Sequence, residues 1–194
     1  MSEQASLFDF EPPPKNTDRL FFAVMPDQHA ITAISALAAE LKTQHGMTGR
    51  PINDLKLHVT LCVLGDFPGM PDALIKSASK AAALVADSTL PFKVSFDTAQ
   101  TFITGPRHRP LVLTGTEGIV GLNGFYKNLA TALLKTSGVR SPASYTPHVT
   151  MLYDDVTAAP QSVAPVEWTV RELVLLHSHI DQGRPYTILK RWPF

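Results

Sequence analysis

The chain has 194 residues, of which 44% are hydrophobic and 18% charged, and these values are typical of a globular protein with its own core. Its 17 basic residues balance 17 acidic residues, which excludes a strongly basic face for binding a long nucleic-acid duplex. One cysteine excludes an internal disulfide and a cysteine-rich zinc site, and no apolar run is long enough to span a bilayer. The start of the chain lacks a signal-peptide pattern, so we expect a cytoplasmic protein without a membrane partner.

Strands and helices alternate along the predicted chain. Residues 1–17 include prolines at positions 12–14, which prevent helix, so we predict an extended tail followed by a single domain over 18–194. The predicted elements are a strand at 20–24, a helix at 26–44, a strand at 55–64, a helix at 72–86, strands at 90–99 and 111–114, a helix at 118–137, a strand carrying the second motif described below, and strands at 167–177 and 185–192 with a turn at 181–183. This order indicates an α+β protein.

Two short segments share the pattern His-Val-Thr followed by a hydrophobic residue. They are residues 58–61 and residues 148–151. Residues two apart on a strand project to the same face, so each histidine has its threonine beside it, while Val59 and Val149 point into the packing. The two segments therefore predict one cleft that receives two imidazoles and two hydroxyls.

These groups are suited to acid/base chemistry on a cyclic phosphodiester. Ring opening needs one group that takes a proton from the attacking water and another that gives a proton to the departing ribose oxygen. Histidine titrates near neutral pH, so one ring can be neutral while the other is protonated. We predict His58 and His148 as the catalytic pair, and we predict that the hydroxyls of Thr60 and Thr150 bind the non-bridging phosphate oxygens.

Four further segments accompany the motifs. They are the opening Arg-Leu-Phe-Phe-Ala at 19–23, Leu-Gly at 64–65, the stretch Pro-Arg-His-Arg-Pro-Leu-Val-Leu at 106–113, and the ending at 186–192. With these flanks the chain resembles the 2H phosphoesterase superfamily, and within it the bacterial RNA 2′,3′-cyclic phosphodiesterases, also called 2′-5′ RNA ligases.

The resemblance implies a bilobal α+β fold. In it, two antiparallel sheets face a central cleft, helices lie on the outside, and a pseudo-two-fold relates the halves. It implies that His58 donates a proton to the leaving 3′ oxygen, that His148 activates water, and that the product is a 2′-phosphomonoester. The expected partner is an RNA or oligonucleotide with a 2′,3′-cyclic phosphate end, and the resemblance also implies reversible 2′-5′ ligation of such an end to a 5′-hydroxyl. No metal or organic cofactor is implied, and we expect a monomer.

The chain departs from several relatives after its second motif. Where those relatives carry arginine five residues beyond the second histidine, this chain has Tyr153 followed by Asp154 and Asp155, which leaves substrate identity open. Tyr153 is a possible contact to a base or phosphate, or an ordinary strand aromatic. Arg107 and Arg109 form the densest local basic cluster, and they are either substrate contacts or part of a solvated loop.

Two other groups have side chains that are capable of chemistry. His177 and His179 share a strand face and invite a metal, but the only carboxylate near them in sequence is Asp181, so we predict no metal site. Alternation places Cys62 on the same strand face as His58, on the cleft floor. We predict no nucleophilic role for it, because this chemistry does not require a covalent intermediate.

Three alternative functions stay open. The first is a cyclic phosphodiesterase for a nucleotide metabolite, such as ADP-ribose 1″,2″-cyclic phosphate, which would be indifferent to oligonucleotide length. The second is a non-catalytic module that binds RNA ends, which would not need two titratable groups across a phosphate. The third is a metal-dependent hydrolase using His177 and His179, which a chelator would inactivate.

Overall fold

The computed structural model describes residues 14–142, 144–180 and 182–194. Within those ranges the chain forms eight strands and three helices. The strands are β1 (Asp18–Val24), β2 (Val59–Phe67), β3 (Phe92–Thr101), β4 (Arg109–Thr114), β5 (His148–Asp154), β6 (Gln161–Val170), β7 (Glu172–His179) and β8 (Thr187–Pro193). The helices are α1 (Gln28–Gln44), α2 (Asp72–Ala86) and α3 (Val120–Ser137). The predicted α+β class is confirmed.

The strands form two antiparallel groups of four that meet at one point. Their order is β6-β3-β4-β5-β2-β1-β7-β8, so β5 and β2 join the two groups. The joint consists of one residue pair, Val59 opposite Val149, whereas the neighbouring strand pairs run over several residues. The two predicted sheets are therefore continuous through this contact, and the bilobal antiparallel fold is confirmed.

The main core lies between the three helices and one face of the sheet. Helix α1 begins after Asp27, whose carboxylate accepts a hydrogen bond from the backbone N–H of Ala30 at 2.9 Å, as expected for an N-cap. Each helix contributes a buried apolar stripe to this core. A smaller buried cluster, formed by alternate residues of β1 and β7, lies on the opposite face of the sheet: Phe21, Ala23, Val174 and Leu176.

The predicted strand at 167–177 is wrong. The chain turns at Arg171, so that β6 pairs with β3 in one half and β7 pairs with β1 in the other. Buried apolar residues continue across the corner, from Val170 to Leu173, and no glycine or proline marks the turn. Because both strands bury apolar residues, the hydrophobic pattern alone did not reveal that they belong to different halves.

The first motif strand begins later than predicted. Residues Asp54–Lys56 form one turn of 3-10 helix, and the side chain of Asn53 accepts a hydrogen bond from the N–H of Leu55 at 2.9 Å. Strand β2 then begins at Val59, so His58 stands at its entrance.

Two predictions concern the tail that precedes the domain and the turn before β8. Residues 1–13 of the predicted tail and Asp181 of the predicted turn lie outside the described residues. Among the helices that the structure describes, none is both long enough and apolar enough to cross a membrane.

Candidate active site

A cavity of about 270 Å³ opens beside the point where β2 and β5 meet. Its walls include His58, Thr60, His148, Thr150 and Tyr153. Five of the seven residues that the sequence singled out for the site are therefore brought together, although their roles stay predictions.

The strand pairing explains how two distant motifs reach one cavity. Val59 and Val149 are fully buried and pair with each other, as their predicted packing role requires. The residues on either side of each valine then project into the cavity. Because the strands are antiparallel, His58 lies across from Thr150, and Thr60 lies across from His148. The register thus relates the two motifs by an approximate two-fold.

Both imidazoles are oriented by a hydrogen bond of the same kind. Nδ1 of His58 donates to the carbonyl oxygen of Lys56 at 2.7 Å, and Nδ1 of His148 donates to the carbonyl oxygen of Thr146 at 2.8 Å. A carbonyl oxygen can only accept, so Nδ1 carries the hydrogen in each ring and Nε2 remains for proton transfer. In the neutral His58 ring, Nε2 accepts a hydrogen bond from the hydroxyl of Thr60 at 2.9 Å.

Aromatic rings enclose the histidines, and His58 more than His148. The centroid of the His58 ring lies 5.1 Å from that of Phe21 and 5.3 Å from that of Tyr186, while Phe102 lies 5.0 Å from His148. Burial lowers the pKa of His58; the hydrogen bond to the carbonyl of Lys56 opposes this shift, and the charge of His148 adds to it. The neutral form of His58 is therefore favoured.

A β-bulge follows each motif threonine and changes which residues face the cavity. Phe22 pairs with Cys62 but Ala23 pairs with Thr60, so Leu61 is an extra residue on β2. The bulge brings Val63 to the cavity wall and turns Cys62 into the core, where it is fully buried. The prediction that Cys62 lies on the cleft floor is wrong, and burial raises the pKa of its thiol to about 11.

The second motif strand carries the matching bulge. Leu111 pairs with Leu152 and Val112 pairs with Thr150, which leaves Met151 as the extra residue of β5. The bulge brings Tyr153 to the cavity at the position that corresponds to Val63 on β2.

The structure does not bring Arg107 and Arg109 to the cavity wall. The guanidinium of Arg109 donates to the carbonyl oxygens of Gly105 at 2.8 Å, Pro106 at 2.5 Å and Asp155 at 3.0 Å. It holds the loop before β4 together. Arg107 is exposed on the same loop and does not line the cavity.

The two carboxylates after Tyr153 also serve the scaffold. Asp154 is buried and accepts hydrogen bonds from the backbone N–H groups of Thr48 at 2.7 Å, Gly49 at 2.6 Å and Val156 at 2.8 Å. These bonds hold the pKa of Asp154 below its usual range. Neither it nor Asp155 lines the histidine cavity, so the two anions do not face a phosphate bound there.

Sequence reasoning missed seven residues of the cavity wall, and among them Arg19, Lys56 and Tyr186 bring a charge or an aromatic ring. Arg19 forms two hydrogen bonds with Asp66, at 2.7 and 2.8 Å, which raise the pKa of its guanidinium. The Lys56 ammonium lies 5.5 Å from the centre of the Tyr186 ring. Lys56 precedes the first motif closely enough to have been suspected, but the contact with Tyr186 depends on long-range folding.

The hydroxyls of two residues in the second half of the chain hold the backbone of the motifs in place. The buried Thr114 hydroxyl donates to the carbonyl of Pro147, directly before His148, at 3.0 Å. The Tyr145 hydroxyl donates to the carbonyl of Thr60 at 2.8 Å.

Comparison with known proteins identifies the family. The model of the 2′-5′ RNA ligase superfamily matches residues 20–182. No curated protein matches the chain. The apo structure of E. coli LigT is similar, with 25% identity and a TM-score of 0.68 over 92% of this chain and 98% of LigT.

Two further structures agree with this result. E. coli LigT complexed with 3′-AMP has 26% identity and a TM-score of 0.66 over 92% of this chain and 98% of LigT. TT0787 of Thermus thermophilus shares the fold, with 21% identity and a TM-score of 0.72 over 90% of this chain and 97% of that one. The chain thus belongs to the 2′-5′ RNA ligase superfamily of 2H phosphoesterases.

Proposed function

We propose that this protein hydrolyses 2′,3′-cyclic phosphate ends of RNA or oligonucleotides to 2′-phosphomonoesters by metal-independent acid/base catalysis. The observation that carries the proposal is the matched setting of two histidines at one cavity. Each ring commits Nδ1–H to a carbonyl oxygen and keeps Nε2 for proton transfer. A module that only bound RNA ends would not need this duplicated arrangement.

In the proposed reaction, water attacks the phosphorus and gives a proton to Nε2 of His148. The bond between phosphorus and the 3′ oxygen breaks, its electron pair stays on that oxygen, and the oxygen takes a proton from Nε2 of His58. The products are a 2′-phosphate and a free 3′-hydroxyl, and exchange of protons with solvent restores both rings. The same sequence with a 5′-hydroxyl in place of water forms a 2′-5′ phosphodiester and frees the 3′-hydroxyl, which is 2′-5′ ligation.

The lowered pKa of His58 is compatible with its role as proton donor. Burial by the protein favours the neutral ring. A bound phosphate diester places an anion beside the ring, and an anion favours the protonated form. Substrate binding would therefore charge His58 where the leaving oxygen needs a proton.

The remaining groups of the cavity are assigned to substrate binding. The hydroxyls of Thr60 and Thr150 would donate to the non-bridging oxygens, on which charge develops during attack. Arg19 and Lys56 supply positive charge at the cavity wall, although position 153 lacks the arginine of several relatives. Neither cation lies on a motif strand, because Arg19 belongs to β1 and Lys56 to the 3-10 turn before β2.

Tyr153 is proposed to stack with a base of the substrate. Its ring lies at the cavity wall and is stacked on His108, with the ring centroids 4.9 Å apart and the planes at 9°. Stacking on an aromatic side chain suits every base, so this contact would bind RNA ends without strong sequence preference. LigT has been solved with 3′-AMP and with ATP, so nucleotides bind to a protein of this fold.

We also propose that the protein acts as a monomer in the cytoplasm.

The decisive experiment is hydrolysis of an oligonucleotide with a 2′,3′-cyclic phosphate end in excess chelator. It compares wild type with His58→Ala and His148→Ala, and it identifies the phosphate position on the product. His29→Ala is the matched control, because His29 is exposed on α1 away from the cavity. We expect a 2′-phosphate from wild type and the control, and a rate loss of about 10²–10⁴-fold in each cleft variant.

The same assay separates the alternatives. Activity that survives in both cleft variants would contradict the two-histidine mechanism. Equal rates on a mononucleotide cyclic phosphate and on oligonucleotides would favour a metabolite as substrate. Loss of activity in chelator would favour a metal-dependent hydrolase.

A further inference from the structure

A second cluster of titratable side chains lies on the other face of the sheet. Asp18 begins β1, and His177 and His179 end β7, where the two strands pair antiparallel. Alternation along these strands directs Arg19 and Ser178 to the cavity of the proposed active site. It therefore directs the three residues of this cluster away from that cavity.

The donor atoms of the three side chains form a compact group, in which His177 and Asp18 are hydrogen-bonded. Nε2 of His177 lies 2.5 Å from Oδ1 of Asp18, and Nδ1 of His179 lies 3.9 Å from the same oxygen. One ligand atom from each residue lies within 4.8 Å of the other two. A tetrahedral ion with bonds of about 2.1 Å separates its ligand atoms by about 3.4 Å, between the two measured distances. Small side-chain rotations would bring all three donors into coordination.

The surroundings hold the donors in place. The hydroxyl of Thr17 donates to Oδ2 of Asp18 at 2.6 Å, so the outer oxygen of the carboxylate is oriented while Oδ1 faces the histidines. The N–H of Ile180 donates to the carbonyl of Thr17 at 2.8 Å and closes the end of the strand pair. Hydrogen bonds of this kind, from groups that do not touch the ion, orient ligands in known metal sites.

Burial distinguishes this cluster from a chance surface group. The His177 side chain is 8% exposed, that of Asp18 13% and that of His179 29%. Two donors are therefore largely withdrawn from water, while the third lies at the rim. The rim leaves room for water to complete the coordination of an ion.

We propose that Asp18, His177 and His179 bind a divalent transition-metal ion, with zinc as the best fit, at a site separate from the catalytic cleft. Two imidazoles and a carboxylate suit zinc and its neighbours in the first transition row, whereas magnesium and calcium prefer oxygen ligands alone. The ion would join the start of β1 to the end of β7 and stabilise the fold. It would take no part in catalysis.

This proposal departs from the sequence prediction of no metal. That prediction rested on the lack of a carboxylate near the two histidines other than Asp181, which lies outside the described residues. The carboxylate comes instead from Asp18, at the opposite end of the chain. Strand pairing sets it opposite His179.

The test is a titration of tag-free protein, freed of metal by chelator, with Co²⁺ and with Zn²⁺. Visible absorption reports the coordination of Co²⁺, and calorimetry gives the affinity and stoichiometry for Zn²⁺. The variants are His179→Gln and Asp18→Asn, with His29→Gln as the exposed control. A double variant, His58→Ala with His148→Ala, separates this site from any metal bound between the cleft histidines.

We expect wild type, the control and the double variant to bind one ion each, with intense Co²⁺ bands and a higher melting temperature in Zn²⁺. We expect His179→Gln and Asp18→Asn to bind at least tenfold more weakly while keeping the wild-type circular dichroism spectrum. Binding that persists in both ligand variants would overturn the proposal. So would loss of binding in the double variant alone, or no binding in wild type. Because the cyclic-phosphate assay is run in chelator, failure of either proposal leaves the other testable.

Discussion

At both His58 and His148, Nδ1 donates to the carbonyl oxygen of the residue two positions earlier. Each strand continues through a motif threonine to a bulge, and each places the residue five positions after its histidine at the cavity wall. That residue is Val63 on β2 and Tyr153 on β5. The two halves are therefore alike where protons are proposed to move, and they differ where a substrate is proposed to be recognised.

The histidines also differ in their surroundings. Phe21 and Tyr186 enclose His58, and its Nε2 is hydrogen-bonded to Thr60, whereas Phe102 contacts His148. Burial can distinguish two chemically identical groups in this way, because desolvation penalises the charged ring. A duplicated motif can therefore supply two different proton-transfer roles.

The test with the largest expected effect concerns the similarity of the two motifs. It removes the hydroxyl of each motif threonine while keeping the shape of the side chain. We expect Thr60→Val and Thr150→Val each to lower kcat by about 10²-fold, because each removes one proposed donor to the phosphate oxygens. Thr→Ser at the same positions should retain most of the activity. Steady-state kinetics on a cyclic-phosphate oligonucleotide measures both effects, and a large loss at one threonine with none at the other would contradict the equivalence of the two motifs.

A second test concerns the segment from Gly49 to Ile52, which contacts β5. The N–H of Ile52 donates to the carbonyl of Met151 at 2.7 Å, and a Cβ added at Gly49 would lie 2.0 Å from the carbonyl oxygen of Tyr153. We expect Gly49→Ala to lower the free energy of unfolding by about 1–3 kcal/mol, since backbone atoms must move to make room. Urea denaturation measures this change.

The control for this variant is Gly124→Ala. Gly124 lies within α3, and an added Cβ there would have no neighbour within 4 Å. Alanine favours the helix, so a gain of about 0.5–1 kcal/mol is expected. Destabilisation of both variants to the same extent would rule out the close approach at Tyr153 as the cause.

A third test makes the two strands alike at the position where they differ. Tyr153→Val copies Val63 and removes the proposed stacking surface, so we expect the KM for an oligonucleotide to rise about tenfold with little change in kcat. Tyr153→Phe keeps the aromatic face and should retain the wild-type KM. An equal rise in both variants would show that the hydroxyl, rather than stacking, contributes to binding.

The smallest expected effect concerns the electrostatic link between the histidines. The charge of His148 lowers the pKa of His58, so His148→Gln should raise that pKa toward its ordinary value without restoring it, because burial remains the main cause of the lowering. NMR titration of the His58 ring protons measures the shift. A further fall of the pKa would contradict the common cavity.

The sequence predicted the three helices well. The bounds of α2 match the predicted helix at 72–86, because helix periodicity and the proline before it are local signals. The packing role of Val59 and Val149 also follows from a local pattern, since alternation along a strand indicates which side chains project away from the cleft.

A prediction failed where strand alternation was assumed to continue past a β-bulge. Alternation predicts Cys62 in the cleft, but the extra residue at Leu61 turns it into the core, and a strand pattern does not reveal that residue. The sequence leaves Arg109 open between a substrate contact and part of a loop, because its partners are loop carbonyls that only the folded loop brings near.

By itself, then, the sequence determined the α+β class, the two histidine motifs and the residue types offered to the cleft. The tertiary structure decided which side chains meet: Arg19 and Tyr186 at the cavity wall, and Asp18 between the two histidines of β7. The reason is that periodicity within one element is set by local backbone geometry. Contacts between elements depend on strand register, and on bulges and corners that residues far apart in the chain decide together.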